Sequence, residues 1–138
     1  MSDQSSYDVP GAFAKLIGLR VDEASGERVV AVLPVTPELF QPYGQVHGGA
    51  YAAAVETTAS IGAHLAMDGK VLVVGISNHT DFLRAVRDGE LRIEATPLAK
   101  GRSTQLWQAA ITDDPGRLVA HGKVRIMHLE PPTSVPPG

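Results

Sequence analysis

The stretch from Ala50 to Met67 constrains the fold more than any other part of the chain. It is the longest helical candidate. It carries Ala50, Ala52, Ala53, Ala54, Ala59, Ala63 and Ala66, strong helix formers with small side chains. Asp68-Gly69 stops it. A helix this slim can be embraced closely by a curved sheet, and the flanking sequence reads as sheet. Leu19 to Ala24 and Glu27 to Val35 look like two strands joined at Ser25-Gly26. The second is rich in β-branched valines. Four more strands follow the helix, at Val71 to Leu83, Glu90 to Ala99, Thr104 to Thr112 and Leu118 to Met127. Turn residues separate them at Asp88-Gly89, Lys100-Gly101 and Asp113 to Gly116. A short helix, opened by Pro10 and ending near Gly18, comes first. Helix, two strands, long helix, four strands predicts an α+β fold with an antiparallel sheet.

At 138 residues the chain is one domain's worth, expected over residues 1–130. The tail 131–138 holds Pro131, Pro132, Pro136 and Pro137 and is expected to be disordered. A Cys count of 0 excludes disulfides, thiolate metal sites and cysteine nucleophiles. A formal net charge of −3 argues against non-specific nucleic-acid binding. No apolar run approaches the roughly 20 residues of a membrane span. Met1 to Pro10 is polar and unlike a signal peptide. The expectation is a cytoplasmic protein with no membrane contact and no metal.

The chemistry concentrates between Gln41 and Ser60. Gly48 and Gly49 stand where the long helix starts. The first N–H groups of a helix lack internal partners, and the dipole makes that end electropositive. Glycine lets a ligand approach the backbone, so a polarised carbonyl oxygen would sit well there. The same glycines would also serve an ordinary tight turn. Glu56 stands among alanines and Val55 in an otherwise apolar helix. A buried carboxylate is costly unless it has a task. Desolvation would favour its protonated form and make the carboxylate a stronger base. The bland reading puts Glu56 on an exposed stripe. Ser60 is four residues on and shares its helix face, where it can orient the carboxylate or a water, or simply fill space.

Spacing then separates these groups. Glu56 lies eight residues past Gly48, on the order of 12 Å along a helix axis. Nine steps of about 100° place it roughly opposite His47. If Glu56 and Gly48 act on one carbonyl, they belong to different copies of the chain. The geometry therefore predicts a homodimer with active sites at its interface.

The His47-Gly48-Gly49 motif with Glu56 and Ser60 resembles the hotdog-fold acyl-CoA thioesterases of the phenylacetate-pathway and 4-hydroxybenzoyl-CoA types. The likeness runs from about Thr36 to His128. It extends to the bacterial 1,4-dihydroxy-2-naphthoyl-CoA hydrolases of menaquinone biosynthesis through Gln41-Pro42-Tyr43-Gly44, Val73-Val74-Gly75, Arg84 to Gly89, Pro97-Leu98, Gly101-Arg102, Gln105 and Trp107-Gln108. The resemblance implies a curved antiparallel sheet wrapped around one central helix, and hydrolysis of an aryl-CoA thioester. It implies Glu56 as nucleophile or general base, and the Gly48 amide polarising the carbonyl. Gln41 and His47 would help bind the reacting groups, with Ser60 supporting the water or acyl end. It also implies coenzyme A contacts from Gly75, from Phe82, Leu83, Arg84 and Ala85, and from the loop Lys100, Gly101, Arg102 and Ser103. Coenzyme A is then part of the substrate, and no separate cofactor is expected. Dimers of this family usually pair again, implying a dimer of dimers.

The chain departs from the pattern at Phe82, where relatives carry His after Asn; here Asn78-His79 stands slightly upstream. Glu56 itself fits the 4-hydroxybenzoyl and naphthoyl groups, since the phenylacetate type carries Asp. A hotdog enoyl-CoA hydratase is a second reading, but it wants an Asp–His pair that the chain does not offer. A non-catalytic acyl-CoA-binding module is a third, against which the His47 to Glu56 constellation argues. No Gly-x-Ser-x-Gly elbow or phosphate loop is present.

Overall fold

In the computed structural model, residues 11–129 are described. Pro10, the polar start and the proline-rich tail lie outside them. The order of elements is α1 (Ala12–Ile17), β1 (Arg20–Ala24), β2 (Val29–Pro34), a 3-10 turn (Pro37–Leu39), α2 (Gly48–Ala66), β3 (Leu72–Phe82), β4 (Glu90–Lys100), β5 (Thr104–Thr112) and β6 (Leu118–Leu129). The strands form one sheet of 6, in the order β1-β2-β4-β5-β6-β3, with every neighbouring pair antiparallel.

The helix α2 touches every strand of that sheet. Strands about 4.8 Å apart would make a flat sheet of six roughly 24 Å wide. A helix is only about 10 Å across. Six strands can reach one helix only if the sheet curls around it. The small side chains make this possible, with Ala54, Val55, Ala59 and Ala63 fully buried against the sheet. At Gly62 the approach is close: a Cβ there would lie 2.3 Å from the Trp107 ring. Along β5 the alternation is strict, with Gln105, Trp107, Ala109 and Ile111 buried.

Element ends moved where side chains intervened. α2 starts at Gly48 rather than Ala50 because His47 caps it, its Nδ1 accepting from the Gly49 amide at 2.7 Å. β2 starts at Val29 rather than Glu27 because Ser25 Oγ accepts from the Glu27 and Arg28 amides, at 3.2 and 3.1 Å. β6 runs on to Leu129, which pairs with Leu72 of β3.

β3 departs from the inside–outside pattern by lying largely open, with no position along it fully buried. It forms an edge of the sheet, paired with β6 alone. Leu72, Val74 and Ile76 along it are exposed. The register slips between Gly75 and Ser77, so Ile76 is an extra residue with no partner.

Candidate active site

The start of α2 offers a free donor. Gly49 is engaged by the His47 ring and Ala50 by the His47 carbonyl at 2.9 Å. The Gly48 amide has no acceptor among the described residues. Gly48 lines a cavity of about 280 Å³ together with Gln41, Gln45, Tyr51 and the segment Phe82 to Ala85. The Phe82 ring lies directly over Gly48, so that a Cβ would meet it at 2.3 Å. Tyr51 packs on Phe82 with ring centroids 5.9 Å apart, and its hydroxyl donates to the Arg84 carbonyl at 3.3 Å. Burial pushes the Tyr51 phenol above its usual value, and the charge of Asp113 adds to this. Tyr51 thus stays a donor at neutral pH and pins the Phe82 to Ala85 segment beside the helix start.

Of the two readings open to Glu56, burial among apolar neighbours or a place on an exposed stripe, the single chain shows the second. Glu56 lies on the exposed side of α2. The reason is that the sheet covers the opposite face, where Val55, Thr58 and Ala59 are buried. Glu56 opens onto a second cavity, about 400 Å³, shared with Thr57, Ser60, Ile61, His64, Leu72 and Val73. Ser60 falls beside Glu56 on one face, as the i, i+4 spacing predicts. The wall opposite the carboxylate is Gly75 of β3: a Cβ there would lie 3.1 Å from Glu56 Oε2. Asn78, also on β3, donates to Glu56 Oε1 at 3.2 Å and to the Ala52 carbonyl at 3.0 Å.

The remaining candidates are spread over the surface. His47 acts as the helix cap and borders a different hollow, with Leu39, Phe40 and Ala50, rather than the Gly48 cavity. Gly75 stands against Glu56 and not with Phe82 to Ala85. Lys100 is engaged by Glu27 at 2.5 Å, which leaves its ammonium already paired. Gly101, Arg102 and Ser103 form the exposed β4–β5 turn, outside both cavities. That turn is tied to the end of β6, where His128 Nδ1 meets the Arg102 carbonyl at 3.0 Å and the His128 amide donates to Ser103 at 2.9 Å. Asn78, Tyr51 and His64 carry no local sequence signal of a role, beyond the place of Asn78 in the Asn78-His79 pair upstream of Phe82. Among the described residues, no helix is long and apolar enough to cross a membrane.

The arrangement is a backbone amide left without an acceptor among the described residues at a helix start, and a carboxylate on an open helix face beside an apolar cavity. Known proteins resemble the chain in sequence and shape. Residues 43–120 match the model of the Thioesterase superfamily. The Mycobacterium tuberculosis protein Rv1847 is 41% identical over 121 residues, 86% of each chain. Its solved structure superposes with a TM-score of 0.84, over 87% of this chain and 98% of that one. The 1,4-dihydroxy-2-naphthoyl-CoA hydrolase of Escherichia coli is 30% identical over 114 residues, 83% of this chain and 84% of that protein. The structure of the Haemophilus influenzae thioesterase HI1161 superposes with a TM-score of 0.83 at 25% identity, over 94% of this chain and 96% of that one. With its curled six-stranded sheet closed on α2, the chain belongs to the thioesterase superfamily as a hotdog-fold thioester hydrolase.

Proposed function

We propose that the protein hydrolyses an aryl-CoA thioester, with Glu56 of one subunit acting opposite the partner subunit's Gly48. The observation that carries this reading is the position of Glu56: a carboxylate on the uncovered face of α2, opening onto an apolar cavity walled by Ile61, Leu72 and Val73. Within one chain, Glu56 and Gly48 line separate cavities. A second copy laid along β3 would cover the exposed Leu72, Val74 and Ile76 and bring the two groups onto one substrate. The unpaired edge of β3 supports such a pairing, since exposed apolar edge strands are templates for another chain. Dimers of this kind would pair again.

In the reaction, the Gly48 amide holds the thioester carbonyl oxygen as negative charge develops on it. Either Glu56 attacks the carbonyl carbon to give an acyl-enzyme anhydride that water cleaves, or it takes a proton from the attacking water. The coenzyme A thiolate leaves in both routes. The apolar walls of the cavity beside Glu56 support an aryl acyl group, and the name of the Escherichia coli relative favours 1,4-dihydroxy-2-naphthoyl. Phosphate contacts would come from the Phe82 to Ala85 segment, which shares its cavity with Gly48, and from Arg102.

The test is release of free coenzyme A thiol from a panel of aryl- and fatty-acyl-CoA esters. Glu56→Gln should lose kcat by several orders of magnitude while still binding the ester. Turnover within a few-fold of the parent would refute the assignment. A protein active as a dilute monomer would refute the shared site.

A further inference from the structure

We propose that Asn78, held by Thr80, is the positioning residue of the Glu56 carboxylate. The inference rests on Glu56 being the reacting group. It starts from the bulge in β3. In a regular strand Gly75, Ser77 and His79 would share a face, and Asn78 would point away from α2. Ile76 is the extra residue, so the alternation flips after it. Gly75 pairs with Ile126, Asn78 with Val124 and Thr80 with Gly122. Those three β6 residues are all buried. Gly75, Asn78 and Thr80 therefore face the helix together.

The hydrogen bonds fix one orientation of the Asn78 amide. Its Nδ2 donates to the Ala52 carbonyl at 3.0 Å and to Glu56 Oε1 at 3.2 Å. Thr80 Oγ1 donates to Asn78 Oδ1 at 2.6 Å. Turning the amide over would aim its oxygen at a carbonyl and a carboxylate, neither of which can donate. Ala52 is the residue whose carbonyl takes the Glu56 amide in a regular helix. Asn78 thus grips both the backbone turn and the side chain of Glu56. It occupies Oε1 and leaves Oε2 for the reaction, on the side that Gly75 keeps clear. The space for Thr80 depends on Gly122, where a Cβ would meet Thr80 Oγ1 at 2.4 Å. Around the carboxylate, β3 presents only uncharged groups at positions 75, 78 and 80. On α2 the other titratable side chain of the cavity is His64.

A positioning role makes a distinctive set of kinetic predictions. Asn78→Asp keeps the shape, removes the donor and sets a like charge beside Glu56. We expect kcat to fall about 10- to 100-fold, the scale of a misplaced reacting group, with KM within about twofold. The acid limb of the kcat/KM profile should move to higher pH, since a neighbouring carboxylate favours the protonated form. Thr80→Val leaves Asn78 in place but frees its amide, and should lower kcat by a few-fold with no movement of the acid limb. Each variant is assayed as the full chain with one aryl-CoA ester and checked by circular dichroism. If Asn78→Asp does not fold, the loss of kcat at unchanged KM in Thr80→Val decides. Wild-type kcat and an unmoved acid limb in a folded Asn78→Asp, or wild-type kcat in Thr80→Val where that variant decides, would overturn the proposal. Glu56→Gln is run beside them. If Glu56→Gln is dead and the β3 variants are unaffected, the positioning role alone falls. If Glu56→Gln turns over normally, the functional reading falls with it.

Discussion

Gly62→Ala sets two effects against each other at one atom. A glycine inside a helix costs roughly 1 kcal/mol relative to alanine, so on an open surface the change would stabilise. Here the new Cβ would lie 2.3 Å from Trp107 Cη2 and 2.5 Å from Cζ3. Carbon atoms in ordinary contact are about 3.5–4.0 Å apart, so the ring must retreat by more than about 1 Å. It has nowhere easy to go. Trp107 is fully buried, and its Nε1 donates to Gln105 Oε1 at 2.7 Å. Gln105 in turn holds the Ala63 carbonyl at 3.0 Å, one residue from the substitution. Overpacking of this kind costs about 1–3 kcal/mol. Losing the indole hydrogen bond would add about 1 kcal/mol by leaving a buried oxygen unpaired. Clash therefore beats propensity, and the net expectation is a loss of about 1–3 kcal/mol. At this chain length that lowers Tm by about 4–12 °C. Calorimetry at one fixed protein concentration reads it directly. Trp107→Phe in the same background makes room for the new methyl, so the double variant should lose at least about 1 kcal/mol less than the sum of the singles. A rise in Tm for Gly62→Ala would refute the reasoning. Strict additivity in the cycle would place the cost somewhere other than the Gly62–Trp107 contact.

Further outcomes follow from single groups. Thr58 is fully buried and its hydroxyl has no partner among the described residues, so Thr58→Val should raise stability by about 1 kcal/mol in a urea melt; a lower midpoint would mean the hydroxyl is used. Burial acts to raise the pKa of Asp113, but bonds from the Arg117 side chain at 2.8 Å and the Arg117 and Gly116 amides outweigh it and hold the carboxyl below its ordinary value. Its contribution is then present above the unfolded pKa and lost as pH falls through the lower folded one. Asp113→Asn should melt earlier than the parent at pH 7, with the gap closing as the pH falls below the ordinary carboxylate range; a gap independent of pH would exclude the carboxylate as its source. Arg84→Ala should raise KM for the CoA ester about 10-fold, as expected for a lost charge-assisted bond to phosphate. Lys100→Ala should leave KM within about twofold, because that ammonium is occupied by Glu27. The reverse ranking of those two variants would make Lys100, and not Arg84, the main phosphate contact.

The element order and most strand limits were legible because the signals were local. β5 ends where its alternation ends, at Thr104 and Thr112. The Ser25-Gly26 and Asp88-Gly89 turns announce themselves by residue type. At the helix start, the sequence pointed to Gly48 but not to the use of His47 as a cap, which depends on a side-chain rotamer. Glu56 stood out as an anomaly, and its partner Ser60 followed from helix spacing. Its exposure did not follow, because periodicity says which residues share a face and not which face the sheet covers. Asn78 was hidden for a sharper reason. A strand reading assumes a period of two, and the bulge at Ile76 breaks it without leaving a mark in residue type. The pairing of Lys100 with Glu27 joins residues 73 apart in sequence, which spacing cannot reveal.

The sheet order also sets a timetable. β1 with β2, and β4 through β6, are joined by short connections and can pair as they emerge from the ribosome. β3 cannot. Its partner β6 is separated from it by two complete strands. At about 5–20 residues per second, β3 leaves the ribosome a few seconds ahead of Leu118–Leu129. During that interval Leu72, Val74 and Ile76 have neither β6 beside them nor a finished sheet behind them. The wall that stands beside Glu56 is thus the last part of the sheet to exist, and its completion waits on a strand that carries none of the proposed chemistry.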